Sequence, residues 1–240
     1  MTYHRGDTVL WLKQQKRLQK TMGRVCNLKT FEQEFRGKQS RNGHTLFLQP
    51  SDLHMRSTED LRSCHGYAEV KDRWHARAFL FWNDQARWER VVTFAIHEMV
   101  HVAIFKIIVN DKNIPDYYRD KHGEAEGLKV WRREWQGHGQ PFKGLVRSAY
   151  QEFYSIKPAA MTELLAVYNE AVKVNSRYRK KYGSRYSFAT NAYVMDILVE
   201  GYLVHKRSGN RARLAGNKSS VIGKALAKLK ADGNPCGVLG

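Results

Sequence analysis

The spacing of apolar residues divides the chain into long helical segments and a few short strand segments. Over most of the chain, apolar residues recur three or four positions apart with lysine and arginine between them, which predicts helices. Residues 86–109 are apolar around most of the helical circumference, which predicts a helix buried in the core. We expect further helices at residues 8–37, 128–135, 142–156, 158–182, 190–207 and 218–231, and a polar connection over 110–127.

Three shorter segments between the first two predicted helices have the composition of strands. They are residues 44–49, 66–71 and 74–82, and the last two are separated by Asp72 and Arg73, which predicts a tight hairpin. Helices outnumber strands and do not alternate with them, so the pattern predicts an α+β fold. We expect a small antiparallel sheet packed on the long apolar helix, with additional helices at both ends of the chain.

The composition is that of an ordinary globular protein and excludes several other classes. With 240 residues, of which 42% are apolar, the chain is neither collagen-like nor wholly disordered. Its three cysteines are scattered and contain no C-x-x-C pair, which excludes a disulfide framework and a four-cysteine zinc ribbon. Polar residues interrupt the most apolar stretch, and the N-terminus lacks the features of an export signal. We therefore expect a soluble intracellular protein of the cytoplasm, nucleoid or nucleus, or of a virus particle, with no membrane partner.

Basic residues are concentrated at both ends of the chain. The formal net charge is +18, from 41 lysine and arginine residues against 23 aspartate and glutamate residues. Residues 1–43 hold 10 basic and 3 acidic side chains, residues 151–240 hold 15 and 6, and residues 44–150 hold 16 and 14. Such flanks suit DNA or another polyanion as a partner, although a solvated basic surface is the plainer alternative.

The predicted buried helix contains the sequence His97-Glu98-Met-Val-His101. Two histidines four positions apart lie on one helical face, about one turn from each other, so both imidazoles can reach one tetrahedral zinc ion. Glu98 points to an adjacent angle, where it can hold a water molecule rather than the metal. Polar groups inside an apolar helix are costly unless they are satisfied, and a metal ion would satisfy them. Hydrogen-bonded core histidines are the alternative.

A catalytic zinc ion needs a third protein ligand and an open fourth position. The candidates downstream are His122, Glu124, Glu126 and His138. The metzincin spacing fails because residues 104 and 107 are both isoleucine. His138 is favoured by its place between two glycines, at the start of a predicted helix that can fold back against the first. Glu124 or Glu126 would instead give a thermolysin-like site.

The order of these motifs resembles that of the SprT-like (Spartan-type) zinc metallopeptidases over about residues 44–150. The matching pieces are Gly66-Tyr-Ala-Glu69, His97-Glu-Met-Val-His101 and His138-Gly-Gln-Pro-Phe-Lys143. The resemblance implies that His97, His101 and His138 bind Zn²⁺ and that Glu98 is the catalytic base. It also implies a small α+β domain that acts on DNA-bound proteins, as the characterised members of that family do.

Two features depart from the pattern of that family. The interval between His101 and His138 is longer than the family usually shows, and it contains a second His-Gly pair at His122. No aromatic-lysine pair follows His122, so we prefer His138 as the third ligand. The family's C-terminal zinc ribbon is replaced here by a basic helical region. We divide the chain into a basic N-terminal helical segment (1–43), a SprT-like domain (44–157) and a basic helical extension (158–240).

These features predict a zinc-dependent metallopeptidase with a protein substrate on or near DNA. Zinc would lower the pKa of a water molecule, and Glu98 would take its proton during attack on the peptide carbonyl. The sequence does not identify the group that stabilises the oxyanion. Tyr67, Tyr117 and Tyr118 are candidates, but packing is the favoured role for these residues. The rival hypothesis is a nucleic-acid-binding or structural protein, such as a component of a viral or nucleoprotein particle, whose metallopeptidase-like domain is not catalytic.

Residues 175–188 mix aromatic and basic side chains. Cations neutralise phosphates and aromatic rings stack on exposed bases, so this mixture is typical of single-strand binding. A helix end with tyrosines packed on the core and cations in water is the alternative. The candidate nucleic-acid-binding residues are Arg177, Arg179, Lys180, Lys181, Tyr182, Arg185 and Tyr186.

Overall fold

The computed structural model describes residues 5–40, 43–57, 64–70, 76–82, 86–110, 116–136, 138–182 and 193–207. These residues belong to two compact units that divide between Tyr154 and Ser155. In the described part of the chain, the first unit has six α-helices and a three-stranded sheet, and the second has two α-helices. The fold is therefore mixed α+β and mostly helical, as the sequence predicts.

The elements follow one another in a simple order. The helices of the first unit are α1 (Arg5–Cys26), α2 (Lys29–Phe35), α3 (Trp88–Asn110), α4 (Asp116–His122), α5 (Glu124–Gln136) and α6 (Gln140–Phe153). A short 3-10 turn (Pro50–Asp52) and the strands β1 (Leu53–Ser57), β2 (Cys64–Val70) and β3 (Ala76–Trp82) lie between α2 and α3. The second unit contains α7 (Pro158–Tyr182) and α8 (Tyr193–Arg207), which pack together. Both agree with the predicted helices at 158–182 and 190–207, whereas the predicted helix at 218–231 lies outside the described residues.

β3 lies in the middle of the sheet, between β1 and β2. It pairs antiparallel with β2, which confirms the predicted pairing, although the predicted turn at Asp72 and Arg73 lies outside the described residues. It pairs parallel with β1, so the expectation of a purely antiparallel sheet is wrong. The physical reason is that β2 does not pair with β1 but forms the opposite edge of the sheet. β3 then lies between the two strands and runs in the same direction as β1. The central position suits β3 because it is mostly buried and both of its edges are hydrogen-bonded there.

The predicted strand at residues 44–49 is not part of the sheet. Its alternation is real, since Leu46 and Leu48 are buried and Phe47 is 55% exposed. The carbonyl oxygen of Phe47, however, accepts a hydrogen bond from Nζ of Lys106 on α3 at 2.9 Å. The first strand of the sheet is β1, which begins only after the turn at Pro50–Asp52.

α3 is the central helix of the first unit, and it packs against β2, β3, α5 and α6. It is the one described helix that is long and apolar enough to span a bilayer, but 89% of its most apolar stretch is buried inside the protein. Such burial is typical of the core helix of a soluble protein. Lys106, which interrupts the apolar pattern, forms an ion pair with Asp52 (Nζ–Oδ2 2.6 Å). This partner offsets part of the cost of placing a charge beside the core.

The single helix predicted at residues 8–37 is in fact two helices, α1 and α2. The carboxylate of Glu152, at the end of α6, accepts hydrogen bonds from the amides of Lys29 (2.7 Å) and Thr30 (2.9 Å). It therefore caps the N-terminus of α2, a role that the local sequence cannot reveal because Glu152 is remote in the chain. Both helices contact α6 in the first unit. The three-part division of the sequence remains a prediction.

The polar connection predicted at residues 110–127 is wrong in part, because α4 and the first turn of α5 lie within it. Residues 119–126 are exposed, so this region has no apolar stripe from which a helix could be predicted. Gly123 separates the two helices and has a φ of 75°, a conformation that glycine adopts without steric cost.

Candidate metal centre

Three histidines converge in the first unit. Nε2 of His138 lies 3.2 Å from Nε2 of His97 and 2.9 Å from Nε2 of His101. The three potential ligand atoms lie within 4.8 Å of one another, and this is the cluster in the described part of the chain that could hold a metal ion. His97 and His101 on α3 are buried, whereas His138 is half-buried. The cluster is therefore accessible from the side of His138.

The spacing and the ionisation of these side chains fit a bound metal ion. Nitrogen ligands about 2.0–2.1 Å from a tetrahedral zinc ion stand about 3.3 Å apart, within a few tenths of an ångström of the two distances found here. Burial lowers the pKa of His101 to about 2, with a smaller contribution from His97 and His138. His101 is therefore neutral at ordinary pH, and the neutral imidazole is the form that binds a metal.

Phe142 packs against all three imidazole rings. Its ring centroid lies 4.8 Å from that of His97, 4.3 Å from that of His101 and 4.7 Å from that of His138. Phe142 is only 1% exposed and lies in the first turn of α6, whose N-cap is Gly139. The His-Gly-x-x-Phe spacing therefore places a ligand and its apolar support one turn apart, on one face of the same helix start.

Two rows of residues, each spaced four positions apart, bring α3 and α6 together. The row on α3 is Thr93, His97 and His101, and the row at α6 is His138, Phe142, Val146, Tyr150 and Tyr154. The hydroxyl of Tyr150 donates a hydrogen bond to the carbonyl oxygen of Thr93 at 3.0 Å, and the hydroxyl groups of Thr93 and Tyr154 are 2.9 Å apart. The start of one row contacts the end of the other, so the rows run antiparallel. This packing positions His138 opposite the two histidines of α3.

Glu98 lies where α3 meets β2, and it is 1% exposed. A Cβ atom at Gly66 on β2 would lie 2.7 Å from Cγ and 2.8 Å from Oε1 of Glu98, and 2.8 Å from the carbonyl oxygen of Phe79. No side chain fits at position 66 unless the glutamate or the strand moves. Gly66 is therefore what allows the Glu98 side chain to lie against the sheet.

The other residues considered for this site lie elsewhere. His122, Glu124 and Glu126 are exposed at the junction of α4 and α5, outside the histidine cluster. Tyr67 stacks on Phe79 on the opposite face of β2 from Gly66, so it does not lie beside Glu98. The side chains of Tyr117 and Tyr118, on α4, are outside the described part.

The candidate nucleic-acid-binding residues belong to the second unit. Arg177, Arg179, Lys180, Lys181 and Tyr182 lie on the last turns of α7, where only the backbone is described. Arg185 and Tyr186 lie outside the described residues. Their role in nucleic-acid binding remains a prediction.

Sequence reasoning missed the supporting residues Thr93, Tyr150 and Tyr154. The signal that could have found them is the four-residue spacing itself, which continues from His138 to Tyr154 and from His101 back to Thr93. Two such rows predict two facing helices.

Comparison of the chain with protein-family models, with curated proteins and with solved structures finds no match. The function is therefore argued from the geometry and chemistry of the histidine cluster and its surroundings.

Proposed function

We propose that the protein is a zinc-dependent metallopeptidase similar to the SprT-like family. The observation that carries this proposal is the convergence of three Nε2 atoms, from His97, His101 and His138. The buried Glu98 follows His97 directly in the sequence of α3. Imidazole nitrogens suit zinc, whereas calcium and magnesium prefer oxygen ligands. On this proposal, α3 is the active-site helix, and the sheet that packs against it supports Glu98.

The residues of the chain have distinct roles in the proposed reaction. Nε2 atoms of the three histidines would hold the ion, and Phe142 would keep their rings in place and exclude water from one side of them. Zinc bound there would polarise the peptide carbonyl and make water a better nucleophile near neutral pH. The half-buried His138 leaves a side from which a protein segment can approach.

Glu98 would act as the general base. One carboxylate oxygen accepts a proton from the attacking water, whose oxygen forms a bond to the carbonyl carbon of the substrate. The same carboxyl group then gives this proton to the amide nitrogen as the carbon–nitrogen bond breaks. The products are a free carboxyl group and a free amine, so the atoms of one water molecule are accounted for.

We propose a protein bound to DNA as the substrate. The net charge of +18, concentrated in the two flanks, favours encounter with nucleic acid and with proteins that are attached to it.

The test is metal analysis of the purified protein together with a peptidase assay on unfolded casein and on a DNA-binding protein, with and without DNA. We expect about one zinc ion per chain and cleavage that a chelator removes and added zinc restores. Glu98→Gln should keep the zinc and lower the rate at least about 100-fold, because the amide has the same shape but cannot take a proton.

Glu124→Gln is the matched control, because Glu124 is an exposed glutamate outside the cluster. It should cleave at the wild-type rate. Undiminished cleavage by Glu98→Gln would show that another group is the base, and purified protein that neither retains nor takes up zinc would refute the proposal.

A further inference from the structure

The face of the sheet opposite to α3 has no role in the proposed reaction. Side chains alternate between the two faces of a strand, and Gly66 contacts Glu98 of α3. The next residue along β2, Tyr67, points to the opposite face, as do Phe79 and His54, which lie in register with it on β3 and β1. We name this other surface the aromatic face, and it is formed by His54, Arg56, Tyr67, Glu69, Arg77, Phe79 and Phe81.

The rings of the aromatic face are stacked across all three strands. Phe79 on β3 stacks between His54 on β1, at 5.1 Å, and Tyr67 on β2, at 5.0 Å. Tyr67 also stacks on Phe81, at 6.0 Å. Phe79 is only 7% exposed, whereas Tyr67 is 47% exposed and His54 is exposed. The ladder therefore presents its two outer rings to solvent.

Two arginines lie over the central ring of this ladder. The guanidinium carbon lies 4.9 Å from the Phe79 centroid for Arg77 and 6.0 Å for Arg56. Glu69 holds Arg77 through Nη2 (2.6 Å) and Nε (2.7 Å), so this guanidinium has a fixed orientation. Arg56 is exposed on the edge strand β1. The face therefore combines stacked rings with guanidinium groups on a rigid sheet.

We propose that the aromatic face binds single-stranded nucleic acid. Tyr67 and His54 supply exposed rings on which unpaired bases stack, and Arg56 and Arg77 supply donors for the phosphates between them. A duplex does not fit this chemistry, because its bases are stacked on one another and cannot reach the rings. An anionic ligand is favoured by the two arginines against the single glutamate of the face and by the net charge of the chain.

This inference is independent of the proposed peptidase activity. It also places nucleic-acid binding in the first unit, whereas the sequence prediction concerns residues 177–186 of the second unit. Tyr67 and Gly66 are neighbours on β2, so a strand bound on the aromatic face would lie across one layer of sheet from Glu98.

The test is an anisotropy titration of the full chain with a labelled oligothymidylate at several salt concentrations. Tyr67→Leu should weaken binding by about 5-fold or more, and Tyr67→Trp should retain it, because the indole also stacks. Arg56→Gln should make the slope of log affinity against log salt less negative by about 0.7, the value for one phosphate contact. Arg147→Gln removes an exposed arginine from α6 and serves as the control, with little change expected.

Photo-crosslinking locates the bound strand directly. An oligonucleotide containing 5-iodouracil should crosslink to the peptide that contains Tyr67 or His54, and Tyr67→Leu should reduce this product. The proposal is overturned if Tyr67→Leu binds as the wild type does, if Arg147→Gln weakens binding as much as Arg56→Gln, or if duplex DNA binds equally well. Equal competition by polyglutamate would also overturn it, in favour of an acidic protein partner. Circular dichroism of each variant establishes that it is folded.

Discussion

The backbone of Gly66 on β2 lies directly against the side chain of Glu98 on α3. A Cβ atom at this position would be 2.7 Å from Cγ of the glutamate, and the carbonyl oxygen of Phe79 would be 2.8 Å away on the neighbouring strand. A side chain at position 66 would therefore collide with the backbone of β3 as well as with Glu98. The position of Glu98, the proposed general base on α3, therefore depends on the absence of a side chain at Gly66 on β2.

We expect Gly66→Ala to separate metal binding from catalysis. The added methyl group must displace Glu98 or the strand. The three histidines lie on α3 and just before α6, and the atoms nearest to the added carbon belong to Glu98 and Phe79 instead. Zinc content should stay near one ion per chain, and the peptidase rate should fall by about 100-fold, the usual cost of misplacing a catalytic group by about 1 Å.

Gly23→Ala is the matched control for this substitution. Gly23 lies inside α1 with nothing within 4 Å of the added carbon, so alanine should keep the activity and raise the free energy of unfolding by up to about 1 kcal/mol. Full activity in Gly66→Ala would show that Glu98 is not held by this contact.

The third ligand can be identified by comparing two histidines that are each followed by glycine. His138→Ala should lose most of the bound zinc, because its Nε2 is the atom that meets both histidines of α3. His122→Ala should bind zinc as the wild type does, because His122 is exposed at the end of α4. Elemental analysis after dialysis measures both. Loss of zinc in His122→Ala would show that His122, at the end of α4, is the third ligand instead.

Phe142→Leu tests the apolar support of the cluster. Leucine keeps the site apolar but is smaller, so the fold should survive with a loss of stability well below the roughly 3–5 kcal/mol of a change to alanine. The three imidazole rings lose their shared aromatic neighbour, so we expect weaker zinc binding in a chelator competition. Phe153→Leu changes a half-buried ring on the same helix and should leave the zinc affinity unchanged. Equal effects of the two substitutions would contradict a specific role for Phe142.

The capping of α2 by Glu152 predicts a pH-dependent contribution to stability. Burial raises the pKa of this carboxyl group, but hydrogen bonds from the side chain and amide of Thr30 and from the amide of Lys29 outweigh it, so the pKa is lower than its usual value of 4.5. A carboxyl group with a lower pKa in the folded state stabilises the protein above the unfolded pKa. That contribution is lost as the pH falls through the folded value.

Urea unfolding of Glu152→Ala measures this contribution. The free energy of unfolding should be lower than that of the wild type by about 1 kcal/mol at pH 7, the usual worth of a helix cap. The difference should shrink as the pH falls below about 4.5. Glu152→Gln, which can still accept hydrogen bonds but carries no charge, should lose less at pH 7 and should have a flatter pH profile. A difference independent of pH would mean that the carboxylate charge has no part in the cap.

A contact in this fold can be predicted from the sequence when the residues that make it are close together along the chain. The pair His97 and His101, with Glu98 between them, could be assigned to one buried helix because all three lie within little more than one turn. Four candidates remained for the third ligand, because its identity depends on which later segment packs against α3. The place of His138 between two glycines, at the start of a predicted helix, favoured it among the four. The resemblance and the His-Gly-x-x-Phe spacing favoured His138, which is the histidine that meets the other two.

The same rule explains the parts of the fold that were not predicted. The break between α1 and α2 depends on Glu152, which is more than 100 residues away in the sequence. The parallel pairing of β1 depends on β3 lying between β1 and β2 in the sheet. Residues 44–49 have the predicted alternation of buried and exposed positions, but they pair with residues 38–40 and with Lys106 and not with a strand of the sheet. Periodicity indicates which face of a segment is buried, and it does not indicate the neighbour that buries it.

The central place of β3 also sets the order in which the protein can be built. β1 and β2 both pair with β3, so each of them leaves the ribosome before its partner exists. The unpaired edges of these two strands are exposed to other chains during that interval. Once β3 has been made, α3 follows almost at once in the sequence and brings Glu98 onto Gly66. During synthesis, therefore, the sheet can be completed and the proposed general base can be placed only once residues 76–110 have been made.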